Sequence, residues 1–414
     1  GGRNAYADES LKPAGGDWEK YRYSHRLFGR LLYNPDADPE SWRRYLRHEF
    51  GEAAASVEKA LAQAGRILPL VTTAHHPSAA NNRYWPEIYT NMPIVENGRF
   101  HPYRDTEEPR RFGNVRPHDP ETFSSIEEFA DGVVAGQRDG RYSPLRVAEW
   151  LTASADAAKD ALEAAERLVS DQYAPSWRRM AIDVRIQIGL GRFFAEKLRA
   201  GVGYALFKRT GLRSYLEQAV QAYQSARDAW LEVIEDGRAY RDDITVGGEA
   251  WLRGHWADRL PAIEDDLADM TAELTSATAG GSSDRAASSL VDLDPLPPAA
   301  EHQHTPPASF TRGEPLDLTL AVKVSGGQQA SACLRYRHLN QAEAHQSVEM
   351  TGRDGVLSAT IPAKYTDSAY PLMYAFEVRT GPAVAWRYPG LCEDLANQPY
   401  FVVRQEPASQ AQKG

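Results

Sequence analysis

Apolar residues change their period near residue 310, and that change limits what this chain can fold into. Upstream, three groups recur every three to four residues: Trp18, Tyr21, Leu27, Phe28, Leu31 and Leu32; Val57, Leu61, Ala64 and Leu68; and Ile182, Ile186, Leu190, Phe193, Lys197 and Val202. That spacing lines one face of a helix. Downstream, Leu316, Leu318, Leu320, Val322 and Val324 alternate with Asp317, Thr319, Ala321 and Lys323, the spacing of a half-buried strand. The chain therefore reads as multidomain α+β: a mainly α-helical bundle domain over 1–275, then an immunoglobulin- or fibronectin-like β-sandwich over 310–405. Between them, 276–309 carries Gly280-Gly281-Ser282-Ser283 and Pro295-Leu296-Pro297-Pro298, which is linker composition. Residues 406–414 read as a disordered tail.

The helical part divides at its caps and breakers. Asp17 to Tyr33 forms one helix ending before Asn34-Pro35, and Asp38-Pro39-Glu40 opens the next. Ala53 to Thr72 follows, with Pro69 expected to kink or end it. A short helix is expected over Ile126–Val134, and Ser143-Pro144 starts another running to Val169. Trp177–Lys208 is the longest, and its Gly189, Gly191, Gly201 and Gly203 imply close backbone approach or a local break. Leu212–Tyr240 and Asp258–Leu274 complete a bundle. Further strands are expected at Cys333–Leu339, Val356–Ile361, Leu372–Arg379 and Tyr400–Arg404.

Bulk properties exclude several functions. A formal net charge of −10, with no run of Lys or Arg, argues against nucleic acid as a partner. No apolar stretch reaches transmembrane length. Two cysteines, Cys333 and Cys392, provide neither a disulfide scaffold nor a Cys-based zinc site, and their pairing with each other is left open. No Ser/His/Asp signature, phosphate loop or Rossmann fingerprint occurs, so no cofactor is expected. The chain opens Gly1-Gly2-Arg3-Asn4, with no Met or signal-like segment, and its first strong element begins near Asp17. It reads as the C-terminal part of a longer protein.

Residues 74–124 carry the candidate chemistry. They hold His75-His76-Pro77, Asn81-Asn82-Arg83-Tyr84-Trp85-Pro86-Glu87 and Tyr89-Thr90-Asn91. A connection this long is functional or disordered, and its aromatics argue against disorder. Flat rings stack on sugar C–H faces, while His, Asn, Arg and Glu exchange hydrogen bonds with hydroxyls, so carbohydrate is the leading ligand class. His75, His76, Tyr84, Trp85, Glu87 and Asn91 are the candidate contacts; the alternative is that they pack the loop onto the helices. The adjacent histidines lack metal-ligand spacing. Glu87 is a weak candidate for general acid or base, because Asp105, Glu107 and Glu108 are partner carboxyls only by proximity in sequence. Arg22, His25, Arg26 and Arg30 form a stripe able to meet a carboxylate, or a solvated face paired with Glu19 and Glu40. Trp256 and Leu260 are expected to anchor the last helix, leaving His255 exposed. Tyr336-Arg337-His338-Leu339-Asn340-Gln341 and Trp386-Arg387-Tyr388-Pro389-Gly390 could line a glycan-binding edge, or serve as spacers or packing.

Trp18-Glu19-Lys20-Tyr21-Arg22-Tyr23 leading into Leu27-Phe28-Gly29-Arg30-Leu31-Leu32-Tyr33-Asn34-Pro35-Asp36 resembles the segment after the catalytic barrel in large bacterial α-glucuronidase-like glycoside hydrolases. Tyr84-Trp85-Pro86-Glu87, His255-Trp256-Ala257-Asp258-Arg259-Leu260-Pro261 and Asn397-Gln398-Pro399-Tyr400-Phe401 add to it. The resemblance implies a post-barrel helical domain and a β-sandwich, with catalytic carboxylates on a preceding (β/α)8 barrel. No eight-fold βα pattern is present to receive those carboxylates. It further implies a helical domain that packs on the barrel and helps to line the sugar pocket, with Arg30 near a substrate carboxylate, or that serves dimerisation. The leading expectation is thus the C-terminal portion of a polysaccharide-degrading glycoside hydrolase, periplasmic or extracellular by its substrate. A non-catalytic carbohydrate-binding or scaffolding protein is the alternative. A helical polysaccharide lyase, with His75 or His76 close to a tyrosine hydroxyl, is a third.

Overall fold

Helix and strand segregate along the chain as the change of period requires. The computed structural model describes residues 4–75, 93–95, 111–243, 254–277, 288–340 and 342–406. Among these, the helices are α1 (Arg22–Tyr33), α2 (Glu40–Phe50), α3 (Ala54–Ala74), α4 (Ile126–Ala135), α5 (Pro144–Leu168), α6 (Pro175–Thr210), α7 (Arg213–Gly237), α8 (Leu260–Ser276) and the single turn α9 (Ala363–Thr366). The chain clusters into two units. Gly1–Pro120, Ser124–Ala130 and Ser143–Asp294 form the helical one; Glu121–Phe123, Asp131–Tyr142 and Pro295–Gly414 form the strand-rich one. The expected tail from 407 onward lies outside the described residues.

The helical unit is organised around α6, which packs against α7, α5 and α3. Its 36 residues span about 54 Å, and most of it is buried, with Arg178, Arg185, Arg192 and Arg199 along one partly exposed stripe. The glycines do not break it. A Cβ on Gly189 would lie 2.4 Å from Val233 Cγ2 on α7, so glycine there sets the closeness of the two helices. Gly211 ends α6 at φ 69°, and its N–H donates to the Phe207 carbonyl at 2.8 Å. That left-handed cap turns the chain straight into α7. Ser143 caps α5, its Oγ accepting from the Arg146 N–H at 3.0 Å, with Pro144 in the first turn.

Several local expectations are corrected. The first helix starts at Arg22, because Asp17–Glu19 is a separate 3-10 turn. That turn closes on itself, Trp18 Nε1 donating to the Gly15 carbonyl at 2.9 Å and Gly15 N–H to Glu19 Oε1 at 2.8 Å. Pro69 does not end α3, which runs on to Ala74. Pro69 and Gly65 lie on the exposed face, where water can take the carbonyl that the missing N–H leaves. His255 is buried, 6% exposed. Its Nε2 donates to the Gly237 carbonyl at 2.9 Å, and its Nδ1 accepts from the Ala257 N–H at 3.2 Å. Of the acids expected to pair with the basic stripe, Glu19 does so, 3.6 Å from Arg22, whereas Glu40 bonds Arg47 at 3.1 Å.

In the strand-rich unit, one sheet has the order β1 (Ala300–Gln303), β3 (Leu316–Val324), β7 (Val356–Ile361) and β6 (Thr351–Arg353). The other runs β2 (Ser309–Phe310), β10 (Phe401–Gln405), β8 (Leu372–Gly381), β4 (Ser331–His338) and β5 (Gln346–Glu349), with β9 (Val384–Tyr388) also on β8. β1 thus already pairs with β3 inside the stretch that reads as linker. Leu318, Leu320, Val322 and Val324 share one core with Leu334, Tyr336, Tyr374, Phe376 and Val378. Tyr336 and Trp386 belong to that core, at 4% and 8% exposure, so they do not form a glycan-binding edge. The β-sheet alternation buries them because a ring exposed at these positions would leave the core unfilled. Residues 121–123 and 131–142 are stitched to the same unit. Arg387 Nη1 donates to the Glu121 carbonyl at 3.0 Å, Arg335 pairs with the Glu121 carboxylate at 3.3 Å, and Arg138 N–H donates to the Pro382 carbonyl at 2.7 Å. Cys333 is buried and Cys392 exposed, both as free thiols.

His304 closes this core from the side. Its Nδ1 donates to the Thr319 carbonyl at 2.7 Å and its Nε2 accepts from Tyr374 Oη at 2.8 Å, so the neutral ring satisfies both partners. Burial holds its pKa below the ordinary histidine value, and does the same for His302. A depressed folded pKa gives stability that is present above the unfolded value of about 6.5 and is lost as pH falls through the lower folded value. Amide protection on β3 and β8 in the intact chain is therefore expected to fall as the pH drops below about 6.5, with a shallower slope in His304→Gln. An identical slope in that variant would refute the assignment.

Candidate functional site

The described residues on either side of the 76–110 segment show how the helical unit holds it. His76, Tyr84, Trp85, Glu87 and Asn91, with Asp105, Glu107 and Glu108, lie outside the described residues. His75 is described, and it ends α3. It is 4% exposed, donates from Nε2 to the Phe112 carbonyl at 2.7 Å, and lies against the Phe112 ring at 3.9 Å between centroids. This corrects its reading as a sugar contact: burial and the Phe112 carbonyl make it a fastening. Arg30 is exposed on α1. No described contact brings it to His75.

Four more fastenings hold residues 93–95 and 111–118. Phe112 N–H donates to the Pro93 carbonyl at 2.8 Å, and His118 N–H to the Thr73 carbonyl at 3.0 Å. Arg111 pairs with Glu127 of α4 at 3.3 Å. The deepest is at Asp266 on α8, whose carboxylate accepts the backbone N–H groups of Ile94 and Val95 at 2.7 and 2.9 Å. Tyr223 Oη donates to the same carboxylate at 2.6 Å and lies 3.4 Å from Lys197 Nζ. Lys197 sits among the rings of Phe112, Tyr223 and Phe193, at 5.0, 5.3 and 5.6 Å. Lys197 and Asp266 are both 0% exposed.

Burial opposes both charges in this cluster. It lowers the Lys197 pKa to about 7, against the attraction of Asp266. It raises that of Asp266, while Lys197, Tyr223 and the two amides pull the other way. Perturbed groups of this kind accompany functional sites. Full burial nevertheless keeps these side chains from touching a ligand themselves, so what they fix is the backbone at Ile94 and Val95. The sequence carried one sign of this: Lys197 occupies an apolar step of the α6 rhythm. Tyr223 and Asp266 gave none, since nothing local marks an acid that will meet a lysine from another helix. Among the described residues, no cluster of His, Cys, Asp and Glu could hold a metal ion, and no helix is long and apolar enough to cross a membrane.

No protein-family model and no curated protein matches the chain by sequence. Among solved structures, it is similar to a GH138 enzyme targeting pectin rhamnogalacturonan II, at 15% identity and a TM-score of 0.50. The match covers 64% of this chain and 40% of that one. At this identity the likeness is one of fold, and the chain spans well under half the length of the enzyme it matches. What the comparison shows is a shared fold over that part of the chain.

Proposed function

We propose that this chain is the C-terminal portion of a polysaccharide-degrading glycoside hydrolase, α-glucuronidase-like, acting outside the cytoplasm. Its helical unit packs on a catalytic barrel and presents the 76–110 segment, through Tyr84, Trp85, Glu87 and Asn91, to the sugar. The observation that carries this is the fold likeness to a carbohydrate-active enzyme of which the chain spans only 40%. The outer face of α1 supports it: Phe28, Leu32 and Tyr33 are 66%, 70% and 90% exposed, and α1 buries no residue. An apolar face of that kind ordinarily meets another protein surface. The lyase alternative loses His75, which is enclosed and committed to Phe112, and rests on His76.

The test compares the purified chain with the full product of its gene on glucuronoxylan oligosaccharides and pectin fragments, following new reducing ends. Release by the full product alone is expected. Hydrolysis by the chain by itself, or by neither protein, would overturn the proposal.

A further inference from the structure

Among the described helices, only α1 buries no residue. Its exposed apolar side chains are ordered. Tyr21, just before the helix, and Phe28, Leu31 and Leu32 recur at i, i+7, i+10 and i+11, which puts them on one side. Tyr23 and Leu27, on the other side, are partly covered. Anchors at such spacing are how an amphipathic helix lies in the groove of a partner. The stripe itself carries no Lys, Arg, Asp or Glu, so nothing on it resists removal from water.

Charge says what the groove is like. The whole chain has a net charge of −10, yet Arg22–Tyr33 holds no acid. Arg22, Arg26 and Arg30, at i, i+4 and i+8, run along one edge of the stripe. Arg22 lies 3.6 Å from Glu19, Arg26 sits over the Tyr45 ring at 5.0 Å, and Arg30 is exposed. Ser24 and Leu31 make the opposite edge uncharged. An antiparallel second copy would set the arginine edge against itself, where like charges oppose. The 12 residues of α1 also make a rod of only about 18 Å by 10 Å. Two such rods bury well under the roughly 800 Å² per partner of a stable pair, whereas a concave groove covers more of one.

We infer that α1 is the docking helix for the catalytic domain, seating Phe28, Leu31 and Leu32 in an apolar groove whose rim beside the arginines carries carboxylates. The inference rests on the reading of this chain as part of a larger enzyme, and names the surface and the charge of that contact.

Hydrogen exchange at the α1 amides tests it, measured on the full product of the gene and on the purified chain. Exchange is expected to be slower in the full product by about tenfold or more. Phe28→Asp and Leu32→Asp should each abolish that slowing. Both side chains are exposed, so the purified chain with either substitution should keep its circular dichroism and melting temperature. Arg30→Glu should remove most of the slowing and Arg30→Lys should retain it, since the rim reads charge. Equal exchange in the two proteins, slowing that survives both aspartates, or no effect of Arg30→Glu would each overturn the inference. Slowing in the purified chain at raised concentration, or on adding anionic phospholipid vesicles, would overturn it in favour of a second copy or a membrane surface. A full product that shields α1 but releases no reducing ends would sink the hydrolase reading alone. One that hydrolyses while α1 exchanges freely would sink the docking helix alone.

Discussion

Asp266→Ala is expected to destabilise the helical unit by about 3–5 kcal/mol, the range for removing one partner of a buried ion pair. Its carboxylate accepts the N–H groups of Ile94 and Val95 and the Tyr223 hydroxyl. Alanine leaves all three donors without that acceptor, and takes the Asp266 charge away from the fully buried Lys197. Guanidinium unfolding should read the loss. Amide exchange should localise it, with protection of Ile94 and Val95 falling furthest. Asp266→Asn keeps a side-chain oxygen acceptor and the shape but gives up the charge, so its effect should be smaller. Lys197→Met should couple to it: in the double variant, the two losses will sum to less than the singles by about 0.5–3 kcal/mol. A loss below about 1 kcal/mol in Asp266→Ala, with Ile94 and Val95 still protected, would mean that the segment is held elsewhere.

Trp230→Ala should cost a similar amount, about 3–5 kcal/mol for a buried aromatic truncated in a packed core. Trp230 is 0% exposed on α7 and meets the Phe193 ring of α6 at 4.7 Å. Its Nε1 donates to the Trp256 carbonyl at 2.9 Å, so one side chain ties α6, α7 and the entry to α8. Trp230→Phe separates the two contributions. It retains most of the ring contact, and should lose about 1–3 kcal/mol for the carbonyl left without its donor. Equal unfolding midpoints for Trp230→Phe and the parent would show that the hydrogen bond contributes nothing. A midpoint for Trp230→Ala within about 0.5 kcal/mol of the parent would show that the core collapses around the gap.

Much of this fold could be read along the chain, and the reasons are local. Ser143-Pro144 marked the start of α5 because a cap and a first-turn proline act on their own turn. The alternation in β3 survives folding because one face is covered and the other is wet. Strands β1, β5 and β6 carried no such pattern: they are short and half exposed, and exist through pairing with β3, β4 and β7. Pro69 was misleading for a related reason, since its effect depended on whether Gly65 faced water. His75 and His255 were read as available, yet each is enclosed by a carbonyl from a distant turn.

The sequence by itself determined the succession of helices and strands, because period, caps and breakers act within a few residues. It also singled out the residues 74–124 as the part that a helix bundle does not need. Only the tertiary structure decided which polar groups hold that segment and which are left to meet a ligand. Lys197, Tyr223 and Asp266 become one cluster when α6, α7 and α8 pack. Burial and pairing of charge are properties of neighbours in space, and those neighbours are set by packing between elements far apart in the chain.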